Sequence, residues 1–388
     1  MKTVKWYVGI MFLAACQSDS LLPQVSDDCL VKSATTTSQI IENEYIVTFK
    51  IDTTIASSLS NARKVESINY LMERNNVPIR QIEQTFWGRS VKGFVAHLTK
   101  DEAAKLSHDT LVETIEPDRT LRICACVNLI APKSVTWSVR KTGFGNGLNF
   151  NAKTAWIIDT GIDLDHPDLN VDIQRSKNFI TGQTSADDNN GHGTHVAGII
   201  GALNNQIGVV GIASGANLVA LKVLNQLGEG RLSAVIAAVA YVSQQGQAGD
   251  VVNMSLGMEG ISATLDREVQ AAANRGILFA IAAGNDKQYA HDFSPGRLNH
   301  ANILTVSAVD STDTFASFSN YGNDVVDVAA YGVKITSTYI NGRYATLSGT
   351  SMATPHVAGL MLIRGRNIPT RGTARNDPDG VPDPIARE

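Results

Sequence analysis

Hydrophobic and polar positions divide the chain into two parts with different patterns. Between residues 44 and 122, short apolar segments are interrupted by polar ones. The segments "EYIVTFK", "VKGFVAHL" and "LVETIEP" predict strands, and "ASSLSNARKVESINYLMERN" and "KDEAAKLSHD" predict amphipathic helices. We therefore expect a compact α+β unit of small size here.

From about residue 152 the apolar runs become continuous and alternate with glycine-rich turns. The predicted strands are "TAWIID", "LVALKVL", "VVNMSL", "ILFAIAAG" and "ILTVSAV", with helices at "LSAVIAAVAYVSQQG" and "LDREVQAAANRG". Continuous rather than alternating apolar strands indicate a sheet that is buried on both faces. The pattern predicts an α/β fold with a doubly wound, mostly parallel sheet, whose sites lie at the carboxyl ends of its strands.

The two ends of the chain are predicted to lie outside the folded units. Lys2 and Lys5 precede an apolar run that is too short to span a bilayer, so residues 1–15 are predicted to be a signal peptide. The run ends in Leu-Ala-Ala-Cys16, which resembles the lipobox of bacterial lipoproteins; an ordinary signal peptide with a chance cysteine is the alternative. Residues 16–43 are predicted to be a linker, and the proline-rich residues 367–388 a disordered tail.

Composition limits the possible partners. The 388 residues suggest about two domains, and 33 Lys and Arg against 37 Asp and Glu leave a net charge of -4 without a basic stripe. Nucleic acid is therefore not an expected partner. The four cysteines are Cys16, Cys29, Cys124 and Cys126. If Cys16 carries lipid, at most one disulfide can form, for which Cys29 with Cys124 or Cys126 is the candidate.

Two polar residues lie where strands or helices meet the predicted active edge. Asp159 directly follows "TAWII", where a carboxylate could orient an imidazole, although a turn-forming aspartate is the alternative. His192 opens "HGTHVAGIIGAL" among small residues, with His195 at i+3. A metal site is the weaker interpretation, because the zinc-protease motif needs i,i+4 spacing with a glutamate between the histidines. His195 is expected to pack or to position its neighbours.

The segment "GTSMATPHVAGLMLI" places Ser351 near the start of a helix. Free N–H groups there favour an oxyanion, and Pro355 has no N–H to give the Ser351 carbonyl. A capping serine is the alternative. Asn285, after the strand that ends in Ala283 and Gly284, offers an amide donor at the same edge.

Together, Asp159 in "DTGID", His192 in "GHGTHVAG", Asn285 in "AAGN" and Ser351 in "GTSMATPHVAG" resemble the subtilase serine peptidases over residues 137–363. The resemblance implies that Ser351 is the nucleophile, His192 its general base and Asp159 the group that orients His192. It implies that Asn285 stabilises the oxyanion and that no catalytic metal is needed. Residues 44–123 resemble the inhibitory propeptide of the family, followed by a peptidase domain at 124–366.

The same resemblance implies binding sites for substrate and calcium. Polypeptide substrate is expected to pair as an extended strand with two segments and to reach the strand end beside Asn285. The residues expected to bind substrate are Gly228, Glu229, Gly230, Ser255, Leu256, Gly257, Ala283 and Gly284. A structural calcium ion is expected at the side chains of Asp168 and Asn205 and the carbonyls of Leu203, Ile207 and Val209.

The resemblance also implies how the protein is processed and exported. We expect a self-processed serine endopeptidase precursor of low to broad specificity, cut within 120–130 near Cys124 and inhibited until then by its own propeptide. It is expected to be a monomer, exported to the periplasm or the medium, with the precursor tethered to membrane if Cys16 is lipidated. The rival hypotheses are a folded but inactive binding protein and a lipid-anchored structural protein.

Overall fold

The computed structural model describes residues 38–50, 61–79, 82–123, 128–130, 135–143 and 149–388. The expected signal peptide, most of the expected linker and all four cysteines lie outside these ranges. In the described part, no helix is both long enough and apolar enough to cross a membrane.

The N-terminal unit is an antiparallel sheet with two helices, as the sequence pattern predicts. Its elements are β1 (Ile40–Phe49), α1 (Asn61–Arg74), β2 (Ile82–Trp87), β3 (Lys92–His97), α2 (Lys100–Ser107) and β4 (Val112–Arg122). The strands lie in the order β2-β3-β1-β4. Alternate apolar residues such as Val47 and Phe94 face the helices and form a buried core with Leu71 and Leu106. Strand β1 begins inside the segment that was expected to be a linker.

The second unit contains the remaining elements. They are β5 (Asn128–Ile130), α3 (Trp137–Lys141), β6 (Thr154–Asp159), β7 (Lys177–Asn178), α4 (His192–Gly201), β8 (Asn217–Lys222), β9 (Glu229–Arg231), α5 (Leu232–Gln245), β10 (Val251–Met254), β11 (Met258–Glu259), α6 (Ala263–Ala273), β12 (Leu278–Ala282), β13 (Phe293–Ser294), β14 (Ile303–Val309), β15 (Val328–Tyr331), β16 (Ile335–Tyr339), β17 (Arg343–Leu347), α7 (Thr350–Arg364), β18 (Thr370–Thr373) and β19 (Pro384–Ala386).

The main sheet of this unit has the order β18-β19-β15-β14-β12-β10-β6-β8-β7. Its central pairs are parallel, and the five predicted strands are β6, β8, β10, β12 and β14. Successive residues of β6 belong to opposite cores: Ile157 packs on the side of α4 and α7, and Trp156 on the side of α5 and α6. The strand order reverses at β6, where a doubly wound sheet opens a crevice beyond its carboxyl ends.

The prediction that residues 367–388 are a disordered tail is wrong. Strand β19 pairs in parallel with β15, with Ile385 opposite Ala329, and β18 pairs antiparallel with β19. Ile385 is fully buried and Asp383 accepts a hydrogen bond from Ser307 Oγ at 2.5 Å. The many prolines and charges hid a short apolar strand that covers the edge of β15, so the sheet continues past the last long helix.

Candidate active site

Asp159 and His192 form a buried pair at the carboxyl end of β6. Asp159 is the last residue of that strand, and His192 is the first residue of α4. The imidazole Nδ1 lies 2.8 Å from Asp159 Oδ1 and 3.0 Å from Oδ2, and both side chains are almost completely buried. Contact with the carboxylate through Nδ1 leaves Nε2 as the atom that can accept a proton.

The start of α4 is fixed by its neighbours in sequence. Asp188 accepts hydrogen bonds from the N–H groups of Gly191 at 3.0 Å and Thr194 at 3.0 Å, which satisfies donors of the first helical turn. Gly193 has no room for a side chain, because a Cβ there would overlap the Gly161 carbonyl and lie 3.1 Å from Asp159 Cβ. The small residues around His192 therefore bring the helix close to Asp159.

Ser351 is the second residue of α7 and is 7% exposed. Pro355 lacks the N–H that would bond to the Ser351 carbonyl, and Ser255 Oγ donates to that carbonyl instead at 2.8 Å. The Ser351 hydroxyl in turn donates to the Ser255 carbonyl at 3.0 Å. His192 Nε2 is buried without a hydrogen-bond partner among the described residues.

Asn285 lies three residues beyond the end of β12 and contacts the start of α7. Its Oδ1 accepts from the Thr350 N–H at 2.8 Å and from Thr350 Oγ1 at 2.9 Å. The Nδ2 group is therefore the part of the amide that remains as a donor. The chain reaches this position through the buried Ala283 and through Gly284, whose φ of 108° suits glycine.

The chain's own residues 120–123 lie as an extended strand along the expected substrate segment. Strand β4 pairs antiparallel with β9, placing Leu121 opposite Gly230 and Arg122 opposite Glu229. The Ile123 N–H donates to the Gly228 carbonyl at 2.8 Å. Leu121 is buried among apolar residues of the second unit, whereas Arg122 is exposed and paired with Glu229.

The other expected substrate segment is residues 255–257. It forms no strand pairing with residues 120–123, and the structure describes both segments. Ser255 exchanges two hydrogen bonds with Ser351, as described above. Leu256 is buried, and a Cβ on Gly257 would approach only the Ser294 carbonyl at 3.5 Å. This segment therefore borders the serine without an extended partner.

Two contacts between the units were not predicted from the sequence. Asp118 of β4 accepts from the Ser233 N–H at 3.1 Å and from Ser233 Oγ at 2.5 Å, at the start of α5. Glu116 Oε1 accepts from Ser262 Oγ at 3.1 Å and from the Thr264 N–H at 3.3 Å, at the start of α6. Burial raises the pKa of both carboxyls. The only signal in the sequence is their i,i+2 spacing, which places both on one face of a strand.

The expected calcium ligands lie close together. Asp168 Oδ2 accepts from the Val209 N–H at 3.0 Å, the Leu203 N–H donates to the Asp168 carbonyl at 2.9 Å, and Asp168 Oδ1 is buried without a partner in the described part. Asn205 Oδ1 accepts from the Ile207 N–H at 3.2 Å. Burial raises the pKa of Asp168 to about 6. No cluster of three or more His, Cys, Asp or Glu side chains suited to a metal occurs in the described part.

His195 contacts two backbone carbonyls of neighbouring strands. It is fully buried, and its Nε2 lies 3.1 Å from the carbonyls of both Ile335 and Ala345. Burial lowers its pKa to about 3, so it is neutral at ordinary pH. The histidine therefore links β16 and β17 to α4, in agreement with the expected packing role.

Comparison with known proteins agrees with this geometry. The Subtilase family matches residues 156–367, and Peptidase inhibitor I9 matches residues 44–123. A thermostable alkaline protease of Halalkalibacterium halodurans is 37% identical over 84% of this chain and 82% of its own length. The M-protease of Shouchella clausii is 34% identical over 90% and 88%, respectively.

Among solved structures, a cold-adapted subtilisin-like serine proteinase is 34% identical, with a TM-score of 0.57; the match covers 65% of this chain and 98% of that one. The family match spans more than half of the chain and includes both the acid–histidine pair and the serine helix. The chain therefore belongs to the subtilase family of serine proteases and carries an N-terminal I9 propeptide domain.

Proposed function

We propose that Ser351 is the nucleophile, His192 the general base and Asp159 the residue that holds the imidazole in place. The observation that carries this proposal is the buried Asp159–His192 hydrogen bond at 2.8 Å, formed at the sheet edge where α7 presents Ser351. The serine hydroxyl turns from the Ser255 carbonyl toward His192 Nε2 when substrate binds, since catalytic hydrogen bonds often form fully only with substrate.

The reaction follows from these positions. Ser351 Oγ attacks the scissile carbonyl carbon while its proton passes to His192 Nε2, and the carbonyl oxygen becomes an oxyanion. Asn285 Nδ2 and the Ser351 N–H donate to that oxyanion. The C–N bond then breaks as His192 protonates the leaving amine, and water hydrolyses the resulting acyl-enzyme by the same route in reverse.

Variants of the three residues test these roles. In subtilisin the corresponding removals are known to lower kcat by roughly 10⁴- to 10⁶-fold, with strong non-additivity. We expect Ser351→Ala and His192→Ala to be similarly inactive and the double variant to be no worse than either. His300→Ala, at a histidine outside the site, should retain activity. Strictly additive losses would contradict a shared mechanism.

Substrate binding is proposed to follow the path of residues 120–123. The β4–β9 ladder supports pairing of substrate with Gly228, Glu229 and Gly230, while Ser255, Leu256, Gly257, Ala283 and Gly284 border the scissile bond. We propose that self-cleavage occurs near Cys124, within 120–130, where the chain pairs with the same segment up to Ile123. Identical processed N-termini in the wild-type chain and in Ser351→Ala would contradict self-cleavage.

Calcium is proposed as a structural ligand of Asp168, Asn205 and the carbonyls of Leu203, Ile207 and Val209. Asp168 Oδ1 is buried and has no partner among the residues that the structure describes, and an all-oxygen donor set suits this cation. When bound, the ion would join the turn at Asp168 to the loop after α4. A chelator should lower the Tm of the Ser351→Ala chain but leave that of Ser351→Ala/Asp168→Ala unchanged; no chelator effect on the first chain would contradict the site.

Export is proposed from the N-terminal segment, with a monomeric mature protease as the product. Cleavage after Ala15 with lipid on Cys16 would tether the precursor to membrane until self-processing releases the protease. Mass spectrometry of the precursor carrying Ser351→Ala decides this directly. A diacylglyceryl adduct on Cys16 supports the tether, and an unmodified N-terminus supports an ordinary signal peptide.

A further inference from the structure

A buried lysine lies beside the acid–histidine pair. Lys222 ends β8 and is paired with Asp159 in the parallel ladder between β6 and β8. Its side chain is 1% exposed, which is rare for lysine outside a dedicated contact. Its Nζ donates to the Thr160 carbonyl and, at 3.0 Å, to Asn189 Oδ1.

These two acceptors belong to the segments that carry Asp159 and His192. Thr160 is the residue after Asp159, and Asn189 is three residues before His192. The loop containing Asn189 is also held by Asp188, which caps α4, and by Tyr339, whose hydroxyl donates to the Asn190 carbonyl at 2.8 Å. The Lys222 ammonium therefore links the strand end that presents the acid to the loop that presents the base.

The charge of Lys222 also acts on the pair. Burial lowers the pKa of Lys222, while the nearby carboxylates of Asp188, Asp159 and Asp187 raise it. Both hydrogen-bond partners of Nζ are acceptors, which favours the ammonium form. Because Lys222 is buried, its interaction with these carboxylates is little screened by solvent.

We propose that Lys222 is a positioning residue for the proposed Asp159–His192–Ser351 machinery, which fixes the geometry of the pair by holding the strand end that carries Asp159 against the loop that precedes His192. The inference rests on the proposed roles of Asp159 and His192. A purely structural lysine would influence folding, but a chain that folded without it would keep the wild-type kcat. A loss of kcat at unchanged KM in folded protein therefore separates the two roles.

The test compares Lys222→Met with Lys177→Met in mature enzyme obtained from the full chain. Lys177 lies on the neighbouring β7, is exposed and loses the same charge, so it is a matched control. For Lys222→Met we expect kcat to fall roughly tenfold or more through misplacement of the base, with KM unchanged.

Lys177→Met should keep the wild-type kcat and KM. A wild-type kcat in folded Lys222→Met, or a loss confined to KM, would overturn the proposal. Lys222→Gln, whose amide can still donate to the Thr160 carbonyl, provides the same measurement if the methionine variant does not fold. Retention of wild-type activity by Ser351→Ala would overturn the proposed nucleophile instead, so the two failures are distinguishable.

Discussion

Ser351 and Ser255 exchange two hydrogen bonds: Ser351 Oγ donates to the Ser255 carbonyl at 3.0 Å, and Ser255 Oγ donates to the Ser351 carbonyl at 2.8 Å. The second bond exists because Pro355 cannot donate to that carbonyl from within α7. The proline thus leaves the Ser351 carbonyl without a helical donor, and Ser255, from the proposed substrate segment, donates to that carbonyl instead. This contact ties the serine to the loop after β10.

The first prediction is that Ser255 and Pro355 are energetically coupled. Ser255→Ala leaves the buried Ser351 carbonyl unpartnered and should lower the free energy of unfolding by about 1–3 kcal/mol. In a Pro355→Ala background the new N–H can satisfy the same carbonyl, so the cost should be smaller. Urea unfolding of the four chains of this cycle, all carrying Ser351→Ala to prevent self-digestion, measures the coupling. Additive effects would contradict it.

The second prediction concerns the close approach of α4 to Asp159. In Gly193→Ala the new Cβ overlaps the Gly161 carbonyl, so His192 must shift away from Asp159 and activity should fall by roughly 100-fold. Gly201→Ala in the same helix is the control, because the nearest atom to its Cβ would be the flexible end of Leu218, at 3.1 Å, and the next two atoms would lie at 3.4 and 3.6 Å. Steady-state kinetics compares the two, and equal activity would refute the steric argument.

The third prediction is that the propeptide loosens from the protease as pH rises. Glu268 of α6 is fully buried beneath the propeptide, where a Cβ on Gly88 would lie 2.5 Å from its Oε1. Burial raises the pKa of Glu268 to about 8. Ser243, the Val91 backbone and the charge of Arg267 each lower this pKa, but by less than burial raises it. Arg267 is itself paired with Glu113 of the propeptide at 3.1 Å.

The sign follows from linkage. In the closed state, Glu268 keeps its proton up to its raised pKa. In the opened state, the solvated carboxyl loses that proton near its ordinary pKa of 4.5. The free energy of opening should therefore decrease between pH 4.5 and 8, by up to about 1.4 kcal/mol per pH unit, and level off above the raised pKa. Burial of Glu116 and Asp118, whose pKa values are also raised, adds to the trend.

Hydrogen exchange of β2 and β3 in the Ser351→Ala chain, corrected for intrinsic rates, measures this opening. Glu268→Gln should reduce the pH dependence, whereas Glu66→Gln, at an exposed propeptide position, should not. Equal slopes in Glu268→Gln and the parent chain would show that Glu268 does not contribute.

The fourth prediction is that the C-terminal strand stabilises the protease. Ile385 is fully buried beside β15, and truncation to alanine should lower the free energy of unfolding by about 2–5 kcal/mol. Val381→Ala is the control, because Val381 is 62% exposed. Thermal unfolding in the Ser351→Ala background compares the two chains. Equal Tm values would mean that β19 is not part of the cooperative fold.

The proposed site could be identified from sequence because its residues occupy positions with a local signature. Asp159 and Asn285 follow apolar strands, and His192 and Ser351 open glycine- and alanine-rich helices, so topology alone brings them to one edge. The caps formed by Glu116 and Asp118 join segments more than 100 residues apart, which no local pattern encodes. Strand β19 was missed because its apolar run is only a few residues long and is flanked by prolines.

The burial of Lys222 has a signal in the sequence. A lysine within the continuous apolar run "LVALKVL" can be buried only if its ammonium has partners, and a position opposite Asp159 supplies them. The hydrogen-bond acceptors of the Lys222 ammonium, Thr160 and Asn189, can be identified only when β6 and β8 are placed side by side. The sequence indicates that such a contact exists, but the fold alone identifies it.

The central claim is that Ser351 is an activated nucleophile. A fluorophosphonate probe reacts with a serine hydroxyl only where an assembled base and oxyanion site activate it. Mature protein treated with the probe and mapped by peptide mass spectrometry should carry one adduct, on Ser351, and the same protein unfolded before treatment should carry none. An adduct on another serine, or equal labelling of Ser351 in the unfolded protein, would contradict the account.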